Sequence, residues 1–200
     1  YRHHQPDCTP WPEAGFLSRE IIRAAHEVGL RIALLKVAQF RAGFRAAAGS
    51  APARSRSGSA DQFVRELEGL RTTVEKEFPA DEAWIGAAAE SLATVPLEAV
   101  KTIATYARVQ RLRLHLHVST TDEENAACLA EYGRTPIALL AEHGLVDKRF
   151  TAVDAIRLTD DDVKRLRDSV KTKLDLEMAA TPEIIGIARR VRPELATLVP

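Results

Sequence analysis

The sequence predicts an α/β fold of the (β/α) TIM-barrel type: an incomplete or rebuilt barrel with about six parallel strands. Three observations lead there. Short apolar runs rich in β-branched residues alternate with helical patterns, the rhythm of parallel βαβ units. The helical patterns open on recognisable caps. The chain has 200 residues, whereas a closed eight-unit barrel usually takes ~250.

Leu30 to Val37 (LRIALLKV) is the first strand, apolar enough to be buried on both faces. Ala46 to Ala60 follows, small, polar and basic, and reads as a flexible solvated loop. Ser59 with Gln62 forms a capping box ahead of Phe63, Val64, Leu67 and Leu70, which share a helical face. The second strand is Ala83 to Ala88, and Pro96 suits the first turn of a helix running to about Arg108. Leu112 to Val118 is the third strand. Thr121 with Glu124 then caps a helix through Ala126 to Glu131, and Thr135-Pro136 opens another that ends near Gly144. Phe150 to Ile156 is the fourth strand, after which Thr159 and three aspartates begin a helix with acids at its positive end. Lys173 to Met178 is the fifth strand, Thr181-Pro182-Glu183 starts the last helix, and Leu195 to Val199 is the sixth strand.

Composition narrows the function classes. Lys plus Arg and Asp plus Glu number 28 each, without the basic excess that nucleic-acid binding favours. At 46% hydrophobic the chain can bury a sizeable core. No apolar run approaches the ~18 residues of a membrane span, so neither nucleic acid nor membrane is an expected partner. Two cysteines, Cys8 and Cys128, are too few for a disulfide framework and point to the cytoplasm. No signal-peptide pattern follows Tyr1.

Chemistry in a parallel barrel belongs at the C-terminal ends of its strands. There the third strand carries His115 and His117, two residues apart and so on one face. An imidazole pair suits zinc, although a zinc site needs at least three protein ligands; the alternative is two inward histidines satisfied by neighbours. Asp154 and Arg157 at the fourth strand read as a local ion pair or as an acid for catalysis. Glu177, late in an apolar strand, is costly there unless paired or functional. Glu90 and Ser91 offer one carboxylate and one hydroxyl, with Glu90 facing solvent or opening a loop. His3, His4 and Asp7 form a polar cluster at a fraying end, and His26 and His143 sit late in helices, where histidine suits the dipole. Cys128, on the packed side of its helix, is a poor nucleophile. No phosphate-binding glycine loop, Cys-x-x-Cys pair or Gly-x-Ser-x-Gly elbow occurs.

The segments YRHHQPDCTPWPE, LRIALLKVAQFRAGF, SLATVPLEAVKTIATYAR, LHLHVSTTDEENAACLAEYGRTPIALLAEHGLVDKRF and AVDAIRLTDDDV together resemble the amidohydrolase superfamily, and within it formimidoylglutamate deiminase. That resemblance implies a zinc-dependent barrel that hydrolyses a small imine, with His117 as a zinc ligand. It also implies a His-x-His pair ahead of Tyr1 and an aspartate ligand beyond the matching segment. The chain departs from the pattern at the strand ends. Thr120 stands for a carboxylate, Glu90 for a histidine, Ala93 for a substrate-holding arginine, and Asp154 and Arg157 for two histidines.

The tail, DDDVKRLRDSVKTKLDLEMAATPEIIGIARRVRPELATLVP, resembles pyridoxine 5′-phosphate synthase, another (β/α) barrel, with Glu177 at that family's catalytic glutamate. The expectation is a single barrel-like domain over 1–200. It divides into an amidohydrolase-like segment at 1–160 and a pyridoxine phosphate synthase-like segment at 161–200, a chimera by engineering or by decay. Its expected function is a scaffold without catalysis, with no cofactor. The first alternative is a zinc-dependent hydrolase acting on a C–N bond of a small-molecule imine, with His115, His117 and Asp154 around the metal. The second is a binding module that forms homo-oligomers through open sheet edges.

Overall fold

The computed structural model describes residues 4–13, 15–169 and 175–198. Among the described residues helices and strands alternate except for two successive helices after β3: α1 (Phe16–Glu27), β1 (Ile32–Ala38), α2 (Ala60–Glu77), β2 (Ala83–Ser91), α3 (Leu97–Val109), β3 (Leu114–Val118), α4 (Asp122–Tyr132), α5 (Pro136–Glu142), β4 (Phe150–Asp154), α6 (Asp160–Ser169), β5 (Asp175–Met178), α7 (Pro182–Val191) and β6 (Leu195–Leu198).

The caps behave as their chemistry requires. Ser59, Thr121, Thr135 and Thr181 each accept a hydrogen bond from the backbone N–H three residues on, opening α2, α4, α5 and α7. The box at Ser59 is half made, because the Gln62 amide turns forward to Glu66 at 2.9 Å. The buried residues of α2 are Phe63, Leu67, Leu70 and Val74, one helical stripe. Its packing partners are β1, β2 and α3. Helix α1, implied by the placing of His26, begins at Gly15 in the left-handed region and buries Ser18 and Ile22.

The six strands are parallel and divide into two sheets. β1-β2-β3-β4 form one, in sequential order, and β5-β6 form the other. In the larger sheet the register runs from Ile32↔Ala83 to Ala38↔Ala89 and from Leu114↔Phe150 to Val118↔Asp154. Its outer face is the core: Leu34, Ala38, Ile85, Ala87, Ala89, Leu114, Leu116 and Val118 are buried with the stripe of α2 and with Val100 and Ile103 of α3. The barrel is thus present in part.

The first strand is buried on one face only. Leu34, Lys36 and Ala38 point under the helices, whereas Leu35 and Val37 are half-buried and Ala33 is exposed. Trp84, His115, His117, Thr151 and Val153 share that inner face and are likewise half-buried or exposed. A closed barrel would cover it; four strands do not.

The loop between β1 and α2 is ordered by its own bonds. Gly49 N–H donates to the Phe40 carbonyl at 2.8 Å and Ser57 N–H to the Gln39 carbonyl at 2.7 Å. Ala51 and Ser57 are buried. Ser50 Oγ accepts from Ala42 N–H and donates to the Ala47 carbonyl. Small residues that suggested solvation instead allow tight turns. The start of the fifth strand at Lys173 and the end of the sixth at Val199 lie outside the described residues. No described helix is long and apolar enough to cross a membrane.

Candidate functional site

Parallel pairing brings the C-terminal ends of β2, β3 and β4 to one edge of the larger sheet. The alternation of β3 buries Leu114, Leu116 and Val118 and leaves His115 and His117 together on the inner face. The backbone then turns sharply. Ser119, Asp154 and Ala155 all hold φ between 50 and 65°, a left-handed conformation that costs L-residues roughly 1–2 kcal/mol each. Such strain gathers at functional rims. It also ends β4 at Asp154, two residues before the Ile156 that the apolar run suggested.

His117 and Asp154 meet across the two strand ends, with Nδ1 to Oδ2 at 2.7 Å. Thr120 Oγ donates to the same oxygen at 2.9 Å. These two hydrogen bonds, His117 first and Thr120 second, hold the Asp154 carboxyl below the usual carboxylate range. An ionised carboxylate only accepts, so Nδ1 carries a proton and makes the hydrogen bond. The carboxylate thereby fixes the orientation of the imidazole ring.

The other strand-end residues do not join this pair. His115 is half-buried, and burial, followed by the charge of Arg113, lowers its pKa. Glu90 accepts from the hydroxyls of Ser91, at 3.1 Å, and Thr94, a lock on its own turn. Arg157 faces Asp122 at 3.9 Å rather than Asp154, whose Oδ2 takes His117 and Thr120. Glu177 lies on β5, in the separate small sheet, and is exposed, so it carries none of the burial cost expected of it. Cys128 is buried, and burial followed by the charges of Glu124 and Glu131 pushes its thiol up to about 12, leaving it unreactive at neutral pH. Asp7 bonds Thr9 while His4 turns to the Arg54 carbonyl, and His3 lies outside the described residues.

A zinc site needs at least three protein donors. Among the described residues no group of three or more His, Cys, Asp or Glu side chains is placed to hold a metal ion. The described residues by themselves therefore do not make up a zinc site.

One site-shaping residue escaped notice in the sequence. Arg41, just past β1, is buried and clamps three segments. Its Nε donates to the Ala93 carbonyl at 2.7 Å, and Nη2 to the Leu92 carbonyl at 2.9 Å. Its Nη1 meets Glu131 of α4 at 2.9 Å. The signal was a charged residue placed between Phe40 and Phe44 in an otherwise apolar stretch.

Comparison with known proteins gives two likenesses. The family described as "Pyridoxal phosphate biosynthesis protein PdxJ" matches residues 150–200, starting at the first residue of β4. Pyridoxine 5′-phosphate synthase of Azoarcus sp. (strain BH72) is 57% identical over 47 residues, 24% of this chain and 19% of that protein. The same enzyme of Syntrophobacter fumaroxidans is 42% identical over 92 residues, 46% of this chain and 35% of that protein.

The fold is that of amidohydrolases. An amidohydrolase from Brucella melitensis superimposes with a TM-score of 0.75 at 25% identity, over 94% of this chain and 39% of that one. An adenosine deaminase from Xanthomonas campestris with bound zinc gives 0.64 at 19% identity, over 88% and 38%. The zinc complex of the atrazine chlorohydrolase TrzN from Arthrobacter aurescens TC1 gives 0.69 at 17%, over 92% and 41%. The chain thus spans about two fifths of these structures and at most about a third of these synthases.

Proposed function

We propose that these 200 residues form an amidohydrolase-like barrel scaffold, joined to a pyridoxine phosphate synthase-like tail, that does not itself turn over a C–N substrate. One observation carries this reading: the strand-end rim assembles His117, Asp154 and Thr120 but no third metal donor among the described residues. An oriented imidazole alone supplies only part of what hydrolysis of an imine requires. Free Cys8 and Cys128 support a reducing, cytoplasmic setting.

The test is ammonia release from N-formimino-L-glutamate by the purified chain, with and without added zinc, beside the His117→Ala variant. The expected rate equals that of the variant and of buffer. Zinc-dependent release that His117→Ala abolishes would replace this reading with the hydrolase. Metal content separates the two independently: a hydrolase retains about one zinc per chain through purification, a bare scaffold a small fraction of that.

A further inference from the structure

A cavity of about 410 Å³ opens on the helix side of β1, and its lining residues include none of the strand-end group. Its walls come from the N-terminal arm, the first turn of α1, the loop before α2 and the first turns of α2. At its floor is Lys36, a buried lysine inside a strand. The ammonium sits 3.0 Å from Glu66 and 5.3 Å from the centre of the Phe63 ring. One carboxylate contact leaves further N–H donors on a group that carries three.

Trp11 supplies the second feature. Its indole Nε1 is buried and has no hydrogen-bond partner, a standing cost that an acceptor from a ligand would remove. Its ring lies against Phe16, with centroids 5.2 Å apart at 30°, presenting a flat apolar wall. The free donors favour an acceptor. Glu66 answers Lys36, and Glu13 shares Arg19 with Glu77. Arg56, exposed at the rim, gives Nη1 to the neutral Gly49 carbonyl at 2.7 Å and adds a cation at the mouth. The volume lies within the range of ordinary small-molecule pockets.

We propose that this cavity binds a small organic carboxylate, whose oxygens take the Lys36 ammonium and the Trp11 indole N–H while its apolar body lies on the Trp11–Phe16 ring pair. The site is independent of the strand-end rim and of the reading placed on it. It gives the basic loop before α2 a role, since Arg56 and Ser57 belong to that loop and line the cavity.

The chain has two tryptophans, so Trp84→Phe leaves Trp11 as the sole emitter in a titration of the full chain. Sodium benzoate is the probe; neutral benzamide and inorganic phosphate are the comparisons. Benzoate should change Trp11 emission saturably and bind at least about tenfold tighter than either comparison, a difference of ~1.4 kcal/mol. Lys36→Met with Glu66→Gln should erase that preference. Should that pair fail to fold, Glu66→Gln alone frees Lys36 and raises benzoate affinity severalfold. No saturable change up to ~10 mM benzoate, equal binding of benzamide or of phosphate, a preference kept by the double variant, or unchanged affinity in Glu66→Gln each overturns the proposal.

Discussion

His117 Nδ1–H donates a hydrogen bond to Asp154 Oδ2 across 2.7 Å, and so joins the ends of two neighbouring parallel strands. The register places His117 opposite Val153, one residue short of Asp154. The left-handed turn at Asp154, with φ at 65°, accompanies the reach of its carboxylate back to the ring. A strained backbone and a depressed carboxyl pKa therefore describe the same contact.

The sign of its pH dependence follows. A carboxyl whose folded pKa lies below its unfolded one adds stability above the unfolded value and loses it as pH falls through the folded one. Asp154→Asn should cost no more than about 1 kcal/mol at pH 7, since the pair is partly solvated. The difference should close as the medium is acidified toward pH ~3. Urea midpoints of both proteins across that range are the measurement; a gap that stays constant with pH contradicts the assignment.

His115 behaves in the other direction of charge. Burial favours its neutral form, so the unfolded chain binds the proton more readily and stability falls as pH drops below ~6.5. His115→Gln should flatten the stability profile between pH 7 and pH 5 while leaving the midpoint at pH 8 nearly unchanged. An unaltered slope would show that the ring is solvated in the folded protein.

Much of the fold was legible because helix starts are local chemistry. Thr121, Thr135 and Thr181 cap where their spacing indicated, and each described strand falls on an expected apolar run, with ends that differ by up to three residues. What was not legible depends on which neighbours arrive from afar. LRIALLKV looks buried on both faces, yet only the face of Leu34 and Lys36 meets helices. Arg157 lies three residues after Asp154, but the partner of that carboxylate is a ring 37 positions away. The pairing of His115 and His117 on one face was readable from alternation alone, whereas the lack of a third donor among the described residues required the assembled sheet.

Arg41 should be the costliest polar residue to remove. Its guanidinium is buried and fully engaged with Glu131 and with the Leu92 and Ala93 carbonyls. Arg41→Ala leaves Glu131 with the Arg45 N–H but without its cation, strips two carbonyls of their donor, and should destabilise by about 2 kcal/mol. Arg41→Lys cannot reproduce the fork and should recover less than half of that loss. Denaturant unfolding measures both; a double-mutant cycle with Glu131→Gln should show coupling of at least ~1 kcal/mol.

Arg192 offers the opposite case, a residue whose replacement should stabilise. It follows the last turn of α7 with φ at 52° and closes the helix through its N–H to the Ala188 carbonyl. The left-handed position after a helix is where glycine is favoured, because a Cβ is strained there. Arg192→Gly keeps the N–H and removes the strain, while glycine's looser unfolded chain offsets part of the gain. The net expectation is about 0.5 kcal/mol of added stability, read as slower hydrogen exchange in α7. Faster exchange there would mean that the arginine side chain contributes more at this helix end than its backbone costs.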